Sequence, residues 1–320
     1  MVSGTNDRFL KPGVAIRMVY EVADPNLIIG DFLEGPIGEE RKAFPYMYDS
    51  VGVSSDTKKQ KAPRAAGGAD LPRIDFSKPS VDSAVIKKKG FEFAIPRDVI
   101  SDDRLGKELI KRDYNKAGYI LAEQINAAQL AALTGGATTP TWTPNAEWSA
   151  ADATPVADLM DFAEQMDREG YMYRNTDSFV NKTEFYELKK YLNFYDGTQF
   201  VKDRPIGEMI NRDTIYIGAA DMTVHKMMSG MTDSYILGVD KNNPGGEFHY
   251  YIDPEFAIGG AKISYPTIED GKKVTKQVDN AGIHFYTYME NDTKDQILQF
   301  WFENQTVVTQ PYALMYDSGI

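Results

Sequence analysis

The sequence predicts an α+β fold, with helices filling the first half of the chain and strands most of the second. Three observations lead there. A long run with helical spacing, Leu105 to Leu133, closes on Gly135-Gly136. A short alternating strand, Phe91, Phe93 and Ile95, runs toward it through Pro96. Beyond Gly197, short strand-like stretches follow one another with turn residues between them. No internal repeat is visible.

Taken in order, residues 1–43 are punctuated by Pro12, Gly13, Pro25, Gly30, Gly35, Pro36 and Gly38. Six acidic residues and no basic one fall between Glu21 and Glu40. This reads as an extended arm with little regular structure. Residues 44–79 open with Phe44, Tyr46 and Tyr48 and then turn polar and basic, with Lys58, Lys59, Lys61, Arg64 and Arg73. Pro63, Gly67, Gly68 and Pro72 mark turns, and a two-stranded excursion with a mobile tip is expected. Ser80 to Ile95 reads as strand. Ser101 or Asp102 is the expected N-cap of the long helix, which from Asp102 to Leu133 would span roughly 48 Å at 1.5 Å per residue. Gly106 and Gly118 should weaken it by about 1 kcal/mol each if exposed.

A Thr/Pro/Ala linker, Thr138 to Thr154, precedes a second helix opened by Pro155, with Leu159, Phe162, Ala163 and Met166 on one face. Phe179-Val180 suggests a short strand. Thr183 is the expected cap of a third helix with a stripe of Phe185, Leu188 and Leu192. Strands are then expected at Ile215 and Ile217, Tyr235 to Val239, Phe256 to Ile263, His284 to Met289, Ile297 to Phe302 and Thr306 to Val308.

Composition narrows the function. With 35 basic and 47 acidic residues the net charge is −12, which argues against a general nucleic-acid binder, because phosphate neutralisation needs clustered Lys and Arg. The absence of cysteine excludes disulfides, zinc–thiolate sites and thiol catalysis. No secretory signal and no apolar run of membrane-spanning length is visible, so a soluble protein made in the cytoplasm is expected. No phosphate loop and no nucleophile elbow occurs. The three histidines, His225, His249 and His284, show no ligand spacing and read as polar strand or surface residues. Asp240 to Tyr251 begins like a calcium loop, but Pro244 and Tyr251 occupy ligand positions, so Asn243-Pro244-Gly245-Gly246 reads as a turn. The 19 Tyr, 16 Phe and 3 Trp form clusters, Phe44/Tyr46/Tyr48 and Phe285/Tyr286/Tyr288, that fit core or interface better than a ligand cleft.

The order of these elements resembles the major capsid proteins of tailed phages, the Hong Kong 97-like fold. The residues that carry the likeness are Lys87-Lys88-Lys89-Gly90-Phe91-Glu92-Phe93-Ala94-Ile95-Pro96, the step Ile100 to Arg104, and the helix end LAEQINAAQLAALTGG. The stretch DSFVNKTEFYELKKYL is similar to the first part of the family's axial A-domain, and NQTVVTQPYALMYDSGI to its C-terminal return strand.

The resemblance implies an N-terminal arm at 1–43, an E-loop at 44–79, a P-domain strand and spine helix at 80–134 and an A-domain at 135–264. P-domain return strands would follow at 265–305, and a C-terminal A-domain strand at 306–320. It implies a non-enzymatic shell subunit, without cofactor, that self-assembles as pentamers and hexamers into an icosahedral shell enclosing double-stranded DNA. The chain would be located in the virion and assembled in the host cytoplasm. Its partners would be copies of itself, a scaffolding protein, a portal and a decoration protein, with DNA met only by non-specific proximity and no membrane. Since the sequence begins directly with the arm, a separate scaffold or a mature form is expected. Three groups are implied as assembly sites: the E-loop residues Lys58, Lys59, Lys61 and Arg64, the acidic arm residues Glu21, Asp24, Asp31 and Glu34, and an axial loop with Asp196, Gly197, Lys202 and Arg204. A Lys–Asn cross-link through the E-loop lysines is weighed against a simple solvated loop, which is favoured. Two other readings stay open: an encapsulin-type compartment shell, which shares the fold, and a soluble enzyme or ligand-binding protein with an aromatic cleft.

Overall fold

The computed structural model describes residues 12–48, 79–101, 105–136, 146–150, 152–170, 174–194, 213–218, 220–227, 234–252, 263–269, 272–278, 283–290 and 295–320, with Pro144 and Met231. The chain opens with helix α1 (Pro12–Ala23), started by a proline at a position where no backbone N–H is needed. Two 3-10 turns follow, Asp24–Asn26 and Ile29–Phe32, and then β1 (Glu34–Glu39). From Pro12 on, the arm is therefore not an extended segment with little regular structure. Ala15, Val19 and Ala23 recur at a four-residue spacing and are fully buried against the long helix, so tertiary packing organises a stretch whose glycines and prolines suggested otherwise.

β2 (Ala43–Tyr48) and β3 (Ser80–Val85) pair antiparallel as an isolated two-stranded stem, and the tip between them lies outside the described residues. β4 (Lys87–Ile95) leads through a short helix, α2 (Arg97–Ser101), to the long helix α3 (Gly106–Gly136). Ser101 thus closes a separate helix instead of capping the long one, and Asp102 lies outside the described residues. The 31 residues of α3 span about 46 Å at 1.5 Å per residue. α4 (Pro155–Gly170) and β5 (Asp177–Asn181) follow, then α5 (Lys182–Phe194). The cap of α5 is Asn181, whose Oδ1 accepts the Thr183 N–H at 3.2 Å; Thr183 itself lies inside the helix.

The second half consists of β6 (Thr214–Ile217), β7 (Met222–Met227), β8 (Tyr235–Val239), β9 (Gly246–Tyr251), β10 (Ile263–Glu269), β11 (Lys272–Val278), β12 (Ile283–Met289), β13 (Gln296–Val308) and β14 (Leu314–Ser318). The two stretches expected at Ile297 to Phe302 and Thr306 to Val308 are one strand of 13 residues. β7, β9 and β11 lie where the sequence pattern marks no strand, β14 lies within the 306–320 stretch where the resemblance implies one, and most of the stretch Phe256 to Ile263 lies outside the described residues.

Two sheets organise the chain. In the first, the N-terminal half of β13 runs between β12 and β4, and its C-terminal end pairs with β9, which pairs in turn with β1 in parallel. In the second, the order is β14-β8-β5-β7-β6. α1 and α3 cover one face of the first sheet through Tyr114, Leu121, Leu298, Phe300 and Phe302. A second core joins α4 and α5 to the other sheet through Phe162, Phe185, Val180 and Ile236. A third connects the two: Ile29 and Phe32 of the arm and Leu130 and Leu133 of α3 pack with Phe179, Leu237 and Leu314.

Candidate assembly site

The stem β2–β3 has two unlike faces because strand side chains alternate. Phe44 faces inward, is 3% exposed, and packs with Ile86 and Val307 as a small core of its own at the root of the stem. The register pairs Ala43↔Val85, Pro45↔Ser83 and Met47↔Val81 form the other face. All six residues are exposed and none is charged; Met47, Val81 and Val85 are exposed by 63%, 69% and 54%. A two-stranded ribbon is marginal alone in water, and this one carries an exposed, uncharged stripe along its outer face.

The root is fixed by polar contacts to the first sheet. Lys42 Nζ pairs with Glu303 at 2.9 Å, where the carboxylate is buried and the ammonium half-exposed, and it also lies 5.0 Å from the Tyr251 ring. The Ile86 N–H donates to the Lys42 carbonyl at 2.7 Å. His249 of β9 lies beneath Phe44, with ring centroids 4.2 Å apart. Its Nδ1 is 2.9 Å from Glu39 of β1 and its Nε2 is 3.0 Å from Glu247. No ligand spacing marks His249 in the sequence, yet Glu247-x-His249 puts a carboxylate on the ring's own strand face, since residues two apart on a strand share a face. Glu39, 210 positions away, had no local signal.

The other histidines are strand residues, His284 buried and His225 half-buried. His225 Nε2 is 2.7 Å from Asp177 and its ring stacks on Phe179, while His284 stacks on Trp301. Among the described residues no cluster of His, Asp and Glu could hold a metal, and no helix is long and apolar enough to cross a membrane. The Asp240 carboxylate is committed to its turn, accepting from the Asn242 N–H, the Asn243 side chain and the Arg174 N–H.

The acidic arm residues lie on four successive elements. Glu21 is exposed on α1, Asp24 and Asp31 sit in the two 3-10 turns, and Glu34 is exposed at the start of β1. Asp24 and Asp31 line a cleft of about 570 Å³ with Gln129, His225, Lys241 and Asn304. Neither aromatic cluster named from the sequence lines that cleft. Phe44 and Phe285 are core, and Tyr286 and Tyr288 stand exposed on the opposite face of β12. Lys58, Lys59, Lys61 and Arg64, and Asp196, Gly197, Lys202 and Arg204, lie outside the described residues.

Burial controls the tyrosines inside the first core. Desolvation raises the Tyr114 hydroxyl well above the usual tyrosine range, and desolvation, helped by the nearby Asp24 charge, does the same to Tyr20.

The profile of the phage capsid protein family matches residues 80–281, more than half of the chain. The chain is similar in structure to a phage-related protein from Bordetella bronchiseptica RB50, at 14% identity and a TM-score of 0.53, covering 96% of each chain. It is also similar to a virus-like particle from Pyrococcus furiosus, at 9% identity and a TM-score of 0.51, covering 94% of this chain and 96% of that one. At such identities the likeness is one of fold. No curated protein sequence matches.

Proposed function

We propose that this chain, which belongs to the phage capsid protein family, is a major capsid protein that works by closing copies of itself, as pentamers and hexamers, into an icosahedral shell around double-stranded DNA. The observation that carries the mechanism is the exposed, uncharged face of the β2–β3 stem. Each stem reaches over a neighbouring copy and buries that face there, while Phe44 and the Lys42–Glu303 pair hold its root on its own subunit. The basic residues Lys58, Lys59, Lys61 and Arg64 then meet acidic surface on the neighbour, for which Glu21, Asp24, Asp31 and Glu34 are candidates. Exposed pairs contribute only about 0–1 kcal/mol each, so their effect comes from repetition and from steering during assembly. The loop with Asp196, Gly197, Lys202 and Arg204 crowds the five- and six-fold axes.

The protein is a component of the virion. Assembly takes place in the host cytoplasm with a scaffolding protein, a portal and a decoration protein. The family match favours a phage shell over an encapsulin-type compartment. Light scattering across concentrations, with and without scaffold, tests the reading: capsomers or whole shells are expected, and a stable monomer under every condition would overturn it.

A further inference from the structure

His249 has surroundings that the shell reading leaves unused. The side chain is 6% exposed, and both ring nitrogens face carboxylate oxygens, Glu39 Oε1 at 2.9 Å and Glu247 Oε2 at 3.0 Å. An ionised carboxylate only accepts hydrogen bonds, and a neutral imidazole carries a single N–H. Both contacts are hydrogen bonds together only when the three groups share one proton more than a neutral ring and two carboxylates hold. Without it, a ring lone pair faces a carboxylate across a part-buried contact and one of the two hydrogen bonds is lost.

Among the described residues, no second cation is paired with the ring. Phe44 from β2 stacks on it at an interplanar angle of 24°. Its register partners are Ile37 on β1 and Gln305 on β13. The Lys42–Glu303 pair at the same stem root is already matched charge for charge. Three elements thus converge on one ring: the arm strand β1 through Glu39, β9 through Glu247, and the stem through Phe44.

We propose that His249 is a positioning residue for the stem: its doubly protonated ring ties β1 to β9 under Phe44, so attachment of the stem root to the first sheet is proton-dependent. The stem is held firmly when that proton is bound and loosens when it is lost.

Hydrogen exchange on the full chain from about pH 5 to about pH 9, corrected with an unstructured reference peptide, tests this. Wild type and variants are compared in the same assembly state. Protection at Ala43–Tyr48 and Ser80–Val85 should fall roughly ten- to hundredfold as pH rises, the loss of one charged hydrogen bond, while protection at Tyr235–Val239 stays level. H249Q should abolish that pH dependence. A double variant, E39Q with E247Q, covers the case in which H249Q does not fold: its amides donate or accept, so the stem should stay protected with a flat profile. Protection that is independent of pH in wild type, or a fall of the same size in either variant, would overturn the proposal without touching the shell reading.

Discussion

Replacing Gly118 by alanine should destabilise the subunit, although alanine is the better helix former. Gly118 lies in α3 where α1 crosses it. A Cβ placed there would stand 2.7 Å from the Val19 carbonyl oxygen and 2.8 Å from Val22 Cβ. Ordinary contacts begin near 3.4 Å, so α1 would have to recede by several tenths of an ångström. In an exposed helix the change would gain about 1 kcal/mol. Overpacking of this kind costs about 1–3 kcal/mol, so a net loss of about 1 kcal/mol is expected. Val19 meets the new methyl with backbone, which cannot change rotamer, so adding V22A should recover only part of the loss. Denaturant unfolding of the subunit gives the sign, and hydrogen exchange at Pro12–Ala23 locates it. A gain of about 1 kcal/mol, with exchange in α1 unchanged, would refute the packing argument.

The remaining predictions concern the stem, the core and the loops. F44A should cost about 3–5 kcal/mol locally, seen as lost exchange protection in β2 and β3 with both main cores still folded. Stability should fall above about pH 10, because unfolding lets Tyr20 and Tyr114 ionise at the ordinary tyrosine value while the fold holds them neutral. Each contributes a slope of about 1.4 kcal/mol per pH unit above that point, so Y114F should lessen the fall in denaturant unfolding at alkaline pH. Reversing the charges of Lys58, Lys59 and Lys61 should slow assembly and reduce its salt sensitivity while the subunit stays folded; unchanged kinetics at low and high salt would retire the proposed contact. A map of the shell should show residues 193–204 at the axes, and a position away from every axis would contradict that assignment.

How far the sequence revealed this follows from where each signal resides. The strand Phe91/Phe93/Ile95 and the long helix were legible because their periodicity is local and matches one buried face. The strands paired with them inside the first sheet were less so. β13 looked like two pieces, since Glu303, Asn304 and Gln305 interrupt its apolar pattern, but Glu303 is polar for a reason: it holds Lys42. β9 was hidden behind a correctly read turn. The arm misled because Pro and Gly are frequent in it, although Ala15, Val19 and Ala23 recur there at a four-residue spacing. A helix of 12 residues is marginal alone, and its partner is a glycine about a hundred positions away. The stem root could be suspected from Phe44/Tyr46/Tyr48, but the contacts that fix it, Lys42–Glu303 and His249–Glu39, join residues 261 and 210 positions apart. No window of local sequence contains both members of either pair.

The central claim is that copies of this chain complete one another's surfaces, with the outer face of the stem buried on a neighbour. Electron microscopy of particles from the native source, at a resolution that traces the chain, tests it most directly. The account predicts closed shells in which Met47, Val81 and Val85 lie against another subunit. Shells or small oligomers in which that face stays open to solvent would contradict it.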